Sequence, residues 1–176
     1  MAEFQRKQRR TFRILFVCTG NTCRSPMAVG VLKKLLPPEL LRRVDIDSAG
    51  VGARDGDRAS EGALEAAGSR GVDISGHRAK KLTRALLNRA DLILVMEKAH
   101  MDRVREMCPS RMEHVMLLTE LGRPDVAGSR EISDPIGGST EVYRRCFSQI
   151  EISLARGEQF LTELITSRED PGEATG

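Results

Sequence analysis

The sequence predicts one three-layer α/β domain, a four-stranded parallel sheet flanked by helices, and three observations lead there. Four short candidate strands, at 13–17, 43–50, 91–96 and 114–118, are separated by segments with helical spacing, the alternation that builds parallel sheets. The 176 residues suit a single domain that buries roughly 70% of its unfolded surface. No internal repeat, interdomain linker or low-complexity tract interrupts them.

RILFV at 13–17 suits a buried strand, and MAVGVLKKLLPP from Met27 has the pattern of a helix stopped by Pro37 and Pro38. RVDIDSAG at 43–50 is a second strand, after which Asp57 is placed to cap a helix through RASEGALEAAGSR that ends at Gly71. KLTRALLNRA is expected to be helical, and DLILVM at 91–96 is the third strand, with Asp91 structural at its start. KAHMDRVREM is a helix halted at Pro109, and HVMLL at 114–118 is the fourth strand. From Thr140 onward, Val142, Phe147, Ile150, Leu154, Leu161, Leu164 and Ile165 keep near-helical spacing, which predicts one long terminal helix packed on the sheet. The basic MAEFQRKQRRTF, residues 1–12, reads as a solvated arm, residues 13–167 as the domain and residues 168–176 as a frayed tail. Gly122 to Gly138 is a long run of turn formers, and loops of that length are uncommon and often functional.

Composition narrows the function. The net charge is only +3 because 25 carboxylates offset 28 basic residues, 22 of them arginine. Five Phe, one Tyr, no Trp and no basic stripe argue against a nucleic-acid partner, which needs stacking platforms and a charge track. No apolar run approaches the ~20 residues that cross a bilayer, so no membrane association is expected. Cys18 and Cys23 are spaced C-x4-C without a second pair, and His77, His100 and His114 share no ligand spacing, so neither a metal nor another cofactor is expected. Irregular cysteine spacing and the lack of an apolar leader imply reduced thiols and a cytoplasmic location. Cys108 and Cys146 fit packing or surface roles.

The chemistry concentrates in CTGNTCRSP, 18–26, which leaves the first strand at its carboxyl end and enters a helix. Ligands on such sheets sit beyond the carboxyl ends of the strands. Gly20 and Asn21 tolerate positive φ, so the segment from Cys18 to Arg24 can curl into a nest of backbone N–H groups. With a helix dipole behind it, the nest is sized for phosphate. Ser25 is placed to cap that helix and Pro26 to occupy its first turn. Thr19, Gly20, Asn21, Thr22, Cys23 and Ser25 are therefore candidate phosphate or substrate contacts. Cys18 at the floor meets the same positive field plus Arg24, and both favour the thiolate. A thiolate under a bound phosphate is a nucleophile.

These residues resemble the low-molecular-weight protein tyrosine phosphatase family, whose signature is a cysteine, a Gly-Asn, a second cysteine and Arg-Ser. The likeness extends to SAG at 48–50, HRAKKLT at 77–83, ADLILVM at 90–96 and DP at 134–135, in the family's order, and covers most of 13–165. It implies a phosphatase loop after the first strand and a metal-free double displacement. Cys18 would attack phosphorus, Arg24 would grip two equatorial oxygens with its planar fork, and Asp134 would be the general acid that later activates water. Ser25 would donate to the Cys18 thiolate, and Asn21, Ser48 and His77 would form a network that holds the loop's left-handed residue. Without the family, Ser48 is an ordinary strand-end serine and His77 a surface or internally satisfied histidine. Cys23 is close enough in sequence to capture a sulfenic acid on Cys18 as a disulfide, which would make the site redox-sensitive, or else it packs beneath the loop.

Two positions bear on which phosphate is cleaved. Tyrosine-directed members resemble one another in a bulky aliphatic residue between Asn and the second Cys, and in aromatic residues after Asp-Pro. Thr22 and DPIGG stand there in this chain, and both resemble the protein-arginine phosphatase branch, although that branch often has Phe where this chain has Ile136. A threonine hydroxyl suits a guanidinium or a water, where an aliphatic side chain suits a ring. The expected activity is hydrolysis of protein phosphoarginine, with phosphotyrosine the alternative. A thiol-linked arsenate reductase ranks third because Cys108 and Cys146 are 38 residues apart. The joint presence of Cys18, Arg24 and Asp134 argues against a non-catalytic phosphate-binding module. Phosphorylated proteins are the expected partners, and the chain is expected to be a monomer or weak homodimer.

Overall fold

A computed structural model describes residues 10–123 and 131–167. Most of the arm, part of the Gly122–Gly138 stretch and the tail lie outside the described residues. Strands β1 (Phe12–Cys18), β2 (Val44–Gly50), β3 (Leu92–Val95) and β4 (Val115–Leu117) form one parallel sheet in the order β2-β1-β3-β4. Among the described residues the α-helices are α1 (Arg24–Leu35), α2 (Pro38–Leu41), α3 (Glu61–Gly68), α4 (Arg84–Arg89), α5 (Lys98–Met107), α6 (Thr140–Arg156) and α7 (Glu158–Ser167).

Alternate residues of β1 serve two cores. Phe12, Ile14, Phe16 and Cys18 join Met27 and Leu32 of α1, Ala63 of α3, Phe147 and Ile150 of α6 and Leu161 of α7. Leu15 and Val17 join Leu87 of α4 and Val104 of α5 on the opposite face. β3 divides in the same way, Leu92 and Leu94 to the first core, Ile93 and Val95 to the second. Strands covered on both faces need apolar residues at every position, which is why these runs are continuous rather than alternating. The chain passes from β1 through α1 to β2, returns across β1 to β3, and continues through α5 on the other face to β4. The winding therefore reverses at the carboxyl ends of β1 and β3, where such sheets open a ligand crevice.

Three local expectations change. α3 is capped by Ser60, whose Oγ accepts the Ala63 N–H at 3.3 Å, a contact worth ~1 kcal/mol. Asp57 instead pairs with Arg54 at 3.3 Å and gives its carbonyl to Ala79 N–H. The two prolines end α1 but do not end helical structure, because Pro38 opens α2 at a position that needs no N–H. The single terminal helix is two, joined at Gly157, where a Cβ would lie 2.4 Å from the Leu121 side chain. The missing side chain leaves room for Leu121 at the junction of α6 and α7.

Candidate active site

β1 ends at Cys18 and α1 begins at Arg24, so Thr19 to Cys23 must turn within five residues. The carbonyls of this turn are drawn outward. Cys18 O accepts Val51 N–H (2.9 Å), Thr19 O accepts Gly52 N–H (3.0 Å), Thr22 O accepts Ser60 N–H (2.9 Å) and Cys23 O accepts Met27 N–H (3.2 Å). Asn21 O accepts from His77 Nε2 at 2.6 Å. Asn21 has φ 55°, the left-handed region that asparagine tolerates better than most residues. Its N–H points at Cys18 Sγ (3.3 Å). Gly50 makes the outward anchoring possible, since a Cβ there would lie 2.4 Å from Thr19 O.

The Asn21 side chain is fully buried and fully satisfied. Its amide donates to Ser25 Oγ (2.8 Å) and Ser48 Oγ (2.9 Å), and its oxygen accepts the Lys80 N–H (2.8 Å). The structure thus brings Asn21, Ser48 and His77 together around the left-handed residue. Ser25 does not cap α1. Cys23 occupies the cap position, without a side-chain cap bond, and the Ser25 hydroxyl turns to Cys18 Sγ at 2.9 Å. With Asn21 donating to its oxygen, the Ser25 hydroxyl keeps its hydrogen for a thiolate on Cys18.

Arg24 is 1% exposed. Nη1 donates to Ile132 O (2.8 Å) and meets Glu97 Oε1 (3.1 Å), while Nη2 meets Asp134 Oδ2 (3.0 Å) and Thr19 Oγ1 (3.3 Å). Among the described residues, Nε is buried with no hydrogen-bond partner. The Nε–H and Nη2–H edge is the one that oxyanions accept in bidentate fashion, and Asp134 here takes one half of it. Burial pushes the Cys18 thiol up, against the downward pull of the Ser25 hydroxyl and N–H, Arg24 and the Asn21 N–H. The net direction is opposite to the thiolate expectation. Glu97 and Asp134 both pair with the Arg24 guanidinium in this arrangement.

Glu97, His100 and the Ile132 carbonyl also belong to the site, although the sequence did not point to them. Glu97 precedes α5 and its N–H donates to His100 Nδ1 (3.1 Å). Nε2 of His100 therefore carries the ring proton and donates to Thr19 Oγ1 at 2.9 Å. Burial first, then Arg24, holds the His100 pKa below its ordinary value, in keeping with a neutral ring. The segment bearing Asp134 is tethered by Ile132 N–H to Met96 O (3.0 Å) and by Glu131 Oε1 to Lys98 N–H (2.6 Å).

Cys23 Sγ lies 3.1 Å from Ser60 Oγ and 3.7 Å from Tyr143 OH, and all four cysteines are free thiols. Thr22 is half-buried, with Oγ1 3.7 Å from Cys23 Sγ, and Ile136 is 65% exposed. Cys108 donates to Asn88 Oδ1 (3.1 Å), and burial pushes the Cys146 thiol up to about 12, so both are packing residues. Among the described residues, no three His, Cys, Asp or Glu side chains gather as metal ligands would, and no helix is long and apolar enough to cross a membrane.

Residues 13–169 match the model of a family described as low molecular weight phosphotyrosine protein phosphatase. The chain is 44% identical over 114 residues to a probable low molecular weight protein-tyrosine-phosphatase, EpsP, of Ralstonia nicotianae, covering 65% of this chain and 75% of that protein. It is 37% identical over 155 residues to a protein-arginine-phosphatase of Geobacillus stearothermophilus, covering 86% and 98%. The solved structure of the YwlE arginine phosphatase from Geobacillus stearothermophilus superposes with a TM-score of 0.78 at 35% identity, over 90% of this chain and 98% of that one.

Proposed function

The chain belongs to the low molecular weight phosphotyrosine protein phosphatase family, and from that premise we propose that it hydrolyses protein phosphoarginine through a phosphocysteine on Cys18. The observation that carries the phosphatase chemistry is the uncommitted Arg24 Nε–H in the same loop as a sulfur that faces Ser25 and Asn21, and Thr22 is what favours phosphoarginine as the substrate. An arriving phosphoryl group takes the Nε and Nη2 edge and releases Asp134 from Arg24. The freed charge then favours the Cys18 thiolate, whose proton passes by way of solvent to the released Asp134 carboxylate, and the thiolate attacks phosphorus in line. The bond from phosphorus to the leaving nitrogen breaks and Asp134 protonates that nitrogen. In the second step Asp134 takes a proton from water, the water oxygen bonds to phosphorus, and Cys18 leaves as thiolate. Asn21, Ser48 and His77 hold the loop in shape and Thr19, Gly20, Thr22, Cys23 and Ser25 line it. The proposal includes reversible oxidation, in which a peroxide oxidises Cys18 to a sulfenic acid, Cys23 captures it with loss of water once it leaves Ser60, and a thiol reductant restores both thiols. Residues 13–167 would act as one domain, in the cytoplasm, as a monomer or weak homodimer.

Asp134→Asn is expected to lower kcat by ~10²-fold on phosphoarginine and by much less on an activated aryl phosphate, because a basic leaving group depends most on the acid. Equal losses on both substrates would move the acid role to another residue.

Thr22 decides between phosphoarginine and phosphotyrosine. Thr22→Ile removes a hydroxyl at the loop and leaves Cys18, Arg24 and Asp134 untouched. Phosphoarginine hydrolysis should lose ~1–3 kcal/mol of transition-state stabilisation, roughly 5- to 150-fold in kcat/KM, while phosphotyrosine hydrolysis holds or rises. Both constants are to be measured on one peptide sequence, with circular dichroism to exclude a folding defect. The likeness to a tyrosine-directed relative at 44% identity favours phosphotyrosine as the second reading, and parallel changes on the two substrates would place it first.

A further inference from the structure

His100 is 2% exposed, lies in the first turn of α5 and makes two hydrogen bonds in opposite directions. Nδ1 accepts the Glu97 N–H at 3.1 Å, an ordinary duty for a residue at the start of a helix. Nε2 donates to Thr19 Oγ1 at 2.9 Å, across the sheet's carboxyl edge and into the loop. Thr19 Oγ1 in turn accepts Arg24 Nη2 at 3.3 Å. Asp134 also holds that Nη2, at 3.0 Å, but in the proposed reaction it departs for the leaving group. Thr19 is then the contact that remains on the nitrogen that must face an equatorial oxygen. The charged groups around the ring are Arg24 from α1, Glu97 beside it, and Glu131 and Asp134 from the acid-bearing segment.

We propose that His100 is a positioning residue of the reaction: its Nε2–H fixes the Thr19 hydroxyl oxygen as an acceptor, and that oxygen keeps Arg24 Nη2 aimed at the phosphoryl group after Asp134 has moved. The proposal rests on the phosphatase reading of the site. A ring that served only α5 would need Nδ1 alone. The second bond ties the start of α5, which follows β3, to the loop that follows β1, so two adjacent strand ends carry one guanidinium between them.

Two variants separate the two bonds. Asn carries its amide oxygen near the Nδ1 position, so His100→Asn keeps the bond to Glu97 and loses the donor to Thr19. Gln reaches as far as Nε2, so His100→Gln keeps a donor to Thr19 and loses the bond to Glu97. With an aryl phosphate as substrate, His100→Asn should lower kcat by ~10-fold with little change in KM, the effect of one misplaced hydrogen bond in a transition state. His100→Gln should stay within ~3-fold of wild type even if its melting temperature falls further. Thr19→Val should lose a factor similar to His100→Asn, and the double variant should lose no more than either alone. Activities that follow melting temperature, wild-type kcat in His100→Asn, or losses that multiply in the double variant would overturn the proposal. If the wild type turned over no aryl phosphate, the phosphatase reading would fail. Vanadate titration of the same proteins would still decide on His100. Weaker binding in His100→Asn and Thr19→Val but not in His100→Gln upholds it, and equal affinities overturn it.

Discussion

Cys18→Ser is expected to cut turnover of an aryl phosphate by ~10⁴-fold or more, the scale on which removal of a nucleophile acts, while inorganic phosphate still binds within a few-fold of wild type. The two effects separate because the groups that hold the anion do not depend on the sulfur. The loop keeps its shape through carbonyls bonded to Val51, Gly52, Ser60 and His77, and Arg24 keeps its Nε–H uncommitted. The contacts to the sulfur, from the Ser25 hydroxyl at 2.9 Å and the Asn21 N–H at 3.3 Å, stabilise a charged sulfur but are too few to ionise an alcohol, whose proton is held far more tightly than a thiol's. Phosphate release and calorimetric titration with phosphate measure the two quantities. Turnover above about a hundredth of wild type would remove Cys18 from the nucleophile's place. Loss of binding along with turnover, at an unchanged melting temperature, would mean that the sulfur itself organises the loop.

The parts of this site that were legible in the sequence are those that one local stretch specifies. Cys18, Asn21, Arg24 and Ser25 sit in a single strand-to-helix turn, where residue type and φ tolerance alone restrict the backbone; β1 and β3 were legible because burial on both faces demands nearly unbroken apolar runs, and β2 because Val44 and Ile46 alternate with Asp45 and Asp47. Ser25 was misplaced as a cap because capping is a short-range rule, and a hydroxyl one turn from a thiol and an amide has stronger partners than a helix end. Glu97 and His100 were missed for a different reason. Their spacing marks the start of a helix, and nothing local says that β3 lies beside β1 and brings that start to Arg24. Ser48 and His77 were expected at the site only through the family resemblance; local sequence leaves them ordinary residues until the sheet order and the 77–82 segment set them against Asn21. The thiolate expectation counted the positive field and Arg24 but not burial, the largest influence on the Cys18 thiol, which acts against ionisation and shows only in the fold. Gly157 was legible as a residue but not as a break, because the side chain that requires it, Leu121, is remote in sequence.

Arg24→Lys should be nearly as damaging to the reaction as loss of the nucleophile, with kcat reduced by ~10³-fold, the range for removing a charged clamp on a transferring phosphoryl group. The charge survives this substitution, so the loss isolates geometry. The guanidinium supports four partners from one plane, Ile132 O, Glu97, Asp134 and Thr19 Oγ1, and still leaves Nε–H for the phosphoryl group. An ammonium has three hydrogens on a single atom and cannot span partners on opposite sides of the site. At 1% exposure no water shell replaces what is lost. The Ile132 carbonyl, buried with its residue, then stands unpaired at a cost of ~1–3 kcal/mol, so the melting temperature should fall as well, and the tether on the acid-bearing segment loosens with it. Thermal unfolding and steady-state kinetics on one preparation test both effects, and phosphate binding supplies a third reading, expected to weaken where Cys18→Ser leaves it nearly intact. An Arg24→Lys enzyme with kcat near wild type would refute the bidentate grip, because a point charge alone would then account for the stabilisation.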